Sequence, residues 1–280
     1  MFRNSPCKTV LSLVLLMALC LCVLAGCKPE QGGEEPAATT TVKVNQSYLD
    51  ELRQRGKLKV GVKTDVPELS CYDEATGEWS GLEVELAYNI GCELFGCTRD
   101  ELGDRVELVG VTVANREKKL ENGDIDLMLA TYSITKERAA KFALSDSYYM
   151  SYIGLMVRYT PEDIDSLGTT NIKSLADLDG KIVGVAKNST TRKDMLGYIS
   201  TANQLKVTPQ FVSYGSYEAL YKALKKGDID VIAVDVSILN GYDDATTKIL
   251  KDRFAGQHYG AAALPENAQL IDVANKVIGG

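Results

Sequence analysis

The apolar residues of this chain fall into one long run near the start and then into short blocks separated by polar turns. Val10 to Leu24 is almost wholly apolar. Further on, Lys57 to Val62 reads as a strand. A helix follows from Gly81-Leu82 to Phe95, with Leu82, Leu86, Ile90 and Leu94 four apart along one face. Val106 to Val111 reads as a strand and residues 114–122 as a polar helix. Ile125 to Ala130 reads as a buried strand and Thr135 to Phe142 as a helix. Strands alternating with helices predict an α/β fold with mostly parallel strands.

The pattern then repeats. Lys181 to Val185 echoes the first strand, Thr190 to Ile199 reads as a helix, Gln210 to Val212 as a strand and Tyr217 to Lys226 as a helix. Leu120-Glu121-Asn122-Gly123-Asp124-Ile125-Asp126 matches Leu224-Lys225-Lys226-Gly227-Asp228-Ile229-Asp230. In both copies a helix ends at glycine and a buried strand follows. Helix-glycine-strand is common in α/β chains, but here order repeats as well as content. The repeat predicts two similar α/β lobes with a cleft between them. Ligands in open α/β sheets bind beyond the carboxyl ends of strands, and small-molecule sites favour domain interfaces. The residues just after the strands are Lys63, Thr131, Ser133, Ala186 to Thr190, and Asp235.

The N-terminus adds an address. Arg3 and Lys8 precede the apolar run, and Leu24-Ala25-Gly26-Cys27 closes it with small residues and a cysteine. That pattern reads as a secretory signal over residues 1–26. The run is shorter than the roughly 20 residues that span a bilayer. Leu24 to Cys27 also resembles a lipobox, which makes Cys27 the expected lipidation site, with the protein held at the cell membrane by two or more acyl chains. Residues 28–46 are rich in Pro, Gly, Glu, Ala and Thr and read as a disordered tether. Such a chain spans roughly 25 Å root-mean-square.

Charge narrows the partners. Without Arg3 and Lys8, 29 of the 31 basic residues face all 38 acids, a net charge of −9. No basic stripe is present, so nucleic acid is not an expected partner. Of the seven cysteines, Cys7, Cys20 and Cys22 lie in the signal and Cys27 at its end, leaving Cys71, Cys92 and Cys97. With no C-x-x-C pair and His258 the only histidine, no metal site is expected, and nothing calls for a cofactor. Cys92 and Cys97 can pair only if the helix between them ends near Gly96; buried thiols are the plainer reading.

Arg138 is the most informative candidate. It sits in Thr135-Lys136-Glu137-Arg138, with Thr135 a plausible N-cap. A cation in a first helical turn opposes the helix dipole, and an anion bound there reverses the penalty. Arginine grips a carboxylate with two parallel hydrogen bonds. The alternative is a surface arginine paired with Glu137 or Asp146. Ser189-Thr190-Thr191 opens a second-lobe helix, whose amides and hydroxyls suit an anion or merely cap the helix. Asp235 follows an apolar strand at the position of Thr131 in the repeat. It can receive an ammonium group or simply end a strand. Together these groups would clamp both charges of an amino acid.

From about residue 48 to 277 the chain resembles the extracellular solute-binding proteins of family 3, the polar amino acid receptors of ABC transporters. The matching stretches are Gly56 to Val62, Gly81-Leu82-Glu83-Val84-Glu85-Leu86-Ala87, Leu129 to Arg138 with Phe142 to Tyr149 behind it, Ser174 to Lys181, and Gly227 to Asp235. The resemblance implies a type II periplasmic-binding fold. Lobe 1 would comprise residues 47–150 plus 260–280 and lobe 2 residues 151–259. Hinge strands are expected near Ser151 to Val157 and His258 to Ala263. It implies that Arg138 binds the ligand α-carboxylate, that the backbone at Ser133 and Thr190 assists, that Asp235 binds the α-ammonium, and that Thr131 adds a polar contact. Lys63 to Pro67 with Asn115-Arg116 looks like the aspartate/glutamate-binding branch. There Lys63, Arg116 and Tyr217 would meet the ligand side-chain carboxylate.

Some positions depart from the family pattern. Glu68 and Leu69 stand where relatives often carry an aromatic and a proline, and Lys187 and Asn188 replace small residues. Relatives also continue past the position of Gly280 into a last helix; if that difference is real, the first lobe lacks part of its outer layer. The expected protein is a monomeric, membrane-anchored amino acid receptor that closes on glutamate or aspartate and hands it to a permease. Alternatives are a receptor for glutamine, cystine or another polar amino acid, a sensory receptor, or a dehydratase-like enzyme on the same fold using Glu68 or His258.

Overall fold

The structure is a computed structural model and describes residues 47–159, 171–202 and 204–280. The expected signal segment, Cys27 and the tether lie outside the described residues. Among the described residues no helix is long and apolar enough to cross a membrane.

Helix α1 (Tyr48–Arg55) leads into β1 (Leu58–Lys63). A small antiparallel sheet follows, made of β2 (Asp65–Val66), β3 (Ser70–Asp73) and β4 (Glu78–Ser80). Then come α2 (Leu82–Phe95), α3 (Arg99–Leu102), β5 (Val106–Val111), α4 (Arg116–Glu121), β6 (Leu127–Leu129), α5 (Lys136–Ala139) and β7 (Ala143–Leu144). The chain crosses into β8 (Tyr149–Arg158), β9 (Ile182–Ala186), α6 (Thr191–Gly197), β10 (Gln210–Tyr214), α7 (Tyr217–Lys226), β11 (Val231–Asp235), α8 (Val236–Leu239), β12 (Thr247–Ile249) and β13 (Phe254–Tyr259). It returns through β14 (Ala262–Ala263) to α9 (Gln269–Ile278).

The two main sheets have one plan. The first runs β5-β1-β6-β14-β7 and the second β10-β9-β11-β8-β12, with β13 paired to β8. In each, a parallel trio is extended by an antiparallel strand that arrives from the other side of the crossing.

The internal repeat has a physical cause. Asp126 and Asp230 each accept the backbone N–H at the start of the neighbouring first strand, from Lys59 at 2.7 Å and Ile182 at 2.8 Å. A Cβ on Gly61 would lie 2.4 Å from Ile125 Cδ1, and one on Gly184 2.4 Å from Ile229 Cδ1. Each lobe therefore needs a glycine in its first strand so that the isoleucine of Gly-Asp-Ile-Asp can lie over it.

Two expectations are corrected here. Residues 151–157 lie wholly inside the second sheet, so the crossing falls earlier, between Leu144 and Tyr149. It runs beside the return segment, with Ser145 N–H donating to Ala261 O at 3.0 Å and Tyr148 N–H to Tyr259 O at 2.9 Å. The buried face of α2 is Glu83, Val84, Ala87, Ile90, Gly91 and Leu94, while Leu82 is exposed. The stripe is rotated because Glu83 has a buried set of donors to meet. Helix α9 buries Leu270, Ile271, Val273 and Ala274 against the core of α1, α2 and the first sheet.

The lobes touch. One core cluster joins Val66, Leu69 and Val113 to Tyr217, Leu220, Ile238 and Leu239. Tyr242 donates to Asp65 at 3.1 Å, Asn188 Nδ2 to Ala114 O at 3.2 Å, and Lys193 pairs with Glu137.

Candidate functional site

The ends of β6, β9 and β11 converge on one small polar cavity. Its lining includes Arg116, Thr131, Ser133, Arg138, Ser189, Thr190, Tyr217 and Asp235. Eight of the nine sequence-derived candidates for ligand contact are thus brought together. The ninth, Lys63, stands just behind them, with its Nζ 4.5 Å from the centroid of the Tyr217 ring.

The cations are buried, which disposes of the surface alternative. Lys63, Arg116 and Arg138 are 1%, 2% and 7% exposed. Arg138 donates through Nη1 to Ser133 O at 2.8 Å and through Nη2 to Asn188 O at 3.2 Å across the cleft. Its guanidinium centre lies 3.9 Å from the Tyr132 ring centroid. The acid nearest its Nε is Glu117, at 3.9 Å, neither Glu137 nor Asp146. Burial, then the Arg116 charge, pulls Arg138 down to about 10, so it remains a cation at neutral pH. Thr135 does cap the short helix, accepting Arg138 N–H at 3.2 Å.

Arg116 donates from Nη1 to Ala130 O and Thr131 O and also stacks on Tyr132. Its Nε and the Thr131 hydroxyl are the two buried side-chain polar atoms with no hydrogen-bond partner among the described residues. Unpaired buried donors are rare and call for an explanation. Lys63 is already matched, by Asp65 at 2.7 Å, and burial lowers its pKa despite that partner.

Across the cleft, Asp235 is 7% exposed and accepts a hydrogen bond from Tyr259. Burial pushes its carboxyl up to about 6, against the opposing pull of the Tyr259 bond and the two guanidiniums. The hydroxyls at the α6 start are engaged within the protein. Ser189 Oγ donates to Ala186 O at 2.7 Å and Thr190 Oγ1 to Gln257 Oε1 at 3.0 Å, while Gln257 Nε2 donates to Asp194 at 3.0 Å.

Sequence reasoning missed Glu83. This fully buried carboxylate accepts Thr131 N–H and Tyr148 OH on Oε1 and Ser70 OH on Oε2, each at 2.6 Å. It thus holds Thr131, whose φ of 48° is left-handed, and ties the cavity wall to the crossing segment. Nothing in periodicity points to it; an acid on the apolar side of a helix was the available signal. Replacing Glu83 by Ala strands three buried donors, each costing about 1–3 kcal/mol when unsatisfied. The variant should lose at least about 3 kcal/mol in urea unfolding; a loss below about 1 kcal/mol would mean the network is dispensable.

Comparison with known proteins agrees with this architecture. Residues 58–199 match the bacterial extracellular solute-binding proteins, family 3. Over 274 residues, 95% of this chain and 96% of the relative, the sequence is 30% identical to a glutamine-binding protein of Geobacillus stearothermophilus. It is 25% identical to the glutamate-binding protein GluB of Corynebacterium glutamicum, over 80% of this chain and 74% of that one. Among solved structures, the arginine-bound form of truncated ArgBP from T. maritima superposes with a TM-score of 0.66 at 25% identity, covering 82% of this chain and 98% of that one. The two lobes and their paired crossings form the type II periplasmic-binding fold. With the profile match, the near full-length relative and the shared fold, this chain belongs to the bacterial extracellular solute-binding proteins, family 3.

Proposed function

We propose that this protein is the extracytoplasmic receptor of an amino acid ABC transporter and that its ligand is glutamate or aspartate. The observation that carries the reading is the pair of unpartnered atoms, Arg116 Nε and Thr131 Oγ1, in a cavity that also holds Arg138 and Asp235. Lys63 and Asp65 cancel. Arg138 takes the α-carboxylate and Asp235 the α-ammonium, with Ser133 and Thr190 supporting through their backbone and Ser189 beside them. Arg116, whose Nε has no partner among the described residues, is the cation that takes a side-chain carboxylate. Tyr217 and Lys63 back that carboxylate. The two lobes close on the ligand, and the permease reads the closed surface. Cys27 carries the lipid anchor after removal of residues 1–26, residues 27–46 form the tether, and the receptor acts as a monomer.

A glutamine ligand is the second reading. Lys63 is already paired with Asp65, and one relative is named a glutamine-binding protein. Cystine or another polar amino acid would keep the receptor role. An enzymatic role has less support, since Glu68 and His258, the acid–base candidates, are both exposed. Uptake of labelled glutamate by cells with and without the gene tests the role: loss of uptake supports it, and unchanged uptake overturns it.

The raised Asp235 pKa sets a pH signature. The ammonium needs the ionised carboxylate, so binding weakens as pH falls through about 6. Affinity drops about tenfold per unit below that value. Glutamate should bind about tenfold more weakly at pH ~5 than at pH ~7 in calorimetry. A flat profile over that range would remove Asp235 from the ammonium site.

A further inference from the structure

Helix α2 ends in a motif that brings two cysteines together. Gly96, at φ 62°, is its left-handed cap. Both the Gly96 and Cys97 N–H groups turn back to Cys92 O, the latter at 3.1 Å. This 6→1 closure characterises the Schellman turn, in which the side chains of the first and last residues of the closed loop pack against each other. Here those two residues are Cys92 and Cys97. Both are partly buried against the first-lobe core. Each is unbonded, and burial, then the neighbouring Cys97, pushes the Cys92 thiol up. They also line a surface depression with Glu93, Thr98 and Val277, so a small oxidant can reach them.

We propose that Cys92 and Cys97 form a redox-active pair that closes to an intramolecular disulfide across the end of α2. The oxidant is a small-molecule disulfide or an oxidised dithiol protein. One cysteine thiolate attacks the oxidant disulfide and releases its first thiol. The second cysteine thiolate then attacks the mixed disulfide and expels the other thiol. Two protein thiols lose two protons and two electrons, and the oxidant gains both. The helix end already holds the pair side by side, so closure needs no rearrangement of the sheet. Cys71, on β3, stays outside the reaction. This device lies away from the ligand cavity and is independent of the ligand assignment.

The test is oxidation of the folded full chain with oxidised glutathione, blocking of free thiols with iodoacetamide, and tandem mass spectrometry of the segment carrying the three cysteines. The expected result is one blocked residue, Cys71, with Cys92 and Cys97 joined and two hydrogens lighter; reduction with dithiothreitol restores all three. The reduced form should also melt several degrees lower, a difference absent from the C92S/C97S double variant. Blocking of both cysteines after oxidation, a persistent glutathione adduct, or a bond that includes Cys71 would each overturn the proposal.

Discussion

Replacing Arg138 by Ala should weaken glutamate binding by about 2–5 kcal/mol, a loss of between about thirtyfold and several thousandfold. The cost arises because the variant leaves a ligand carboxylate in a buried site with its fork of donors gone. Ser133 O and Asn188 O would lose their partner as well. The expected signature is a collapse of affinity with a folded protein, checked by calorimetry beside a melting curve. Wild-type affinity in Arg138→Ala would mean that the cavity is not the amino acid site. Arg138→Lys keeps the charge without the fork and should fall between the two.

Replacing Arg116 by Gln should change the choice of ligand more than the strength of binding in general. Glutamate should lose about 2 kcal/mol or more, because its side-chain carboxylate becomes a buried charge with no cation in direct reach. Glutamine should lose far less, because its amide never needed the charge. The expected outcome is a ratio of glutamate to glutamine affinity at least about thirtyfold lower than in wild type. Equal losses for both ligands would point to a wall position rather than a side-chain pocket, since Arg116 also holds Ala130 O and Thr131 O. A comparison of melting temperatures separates the two causes.

The parts that were legible in the sequence are those with a strong period or an exact repeat. Helix α7 begins and ends as expected, at Tyr217 and Lys226, because Ser216 caps it and Gly227 closes it in the left-handed region. Strand β5 likewise matches at Val106–Val111. The Gly-Asp-Ile-Asp repeat pointed to two lobes because each copy solves the same packing problem over Gly61 or Gly184.

What escaped was short or non-local. Strands β2, β3 and β4 are two to four residues long and partly exposed, too brief for alternation to register. The crossing was misplaced because β8 is a ten-residue strand that looks the same whether it bridges lobes or sits inside one. Within the site, strand ends pointed to Thr131, Ser133, Ser189, Thr190 and Asp235, the start of α5 to Arg138, and the family resemblance to Arg116 and Tyr217. The pairing of Lys63 with Asp65, the Tyr259–Asp235 bond and the Glu83 network depend on contacts between segments far apart in sequence, which periodicity does not encode.

The central claim is tested most directly by calorimetric titration of the full chain with glutamate, aspartate, glutamine, arginine and cystine. The account predicts saturable one-to-one binding of glutamate or aspartate, at least about tenfold tighter than any of the other three. Preference for a neutral or basic amino acid would contradict the Arg116 pocket, and binding of none of the five would contradict the assignment of the cavity as an amino acid site.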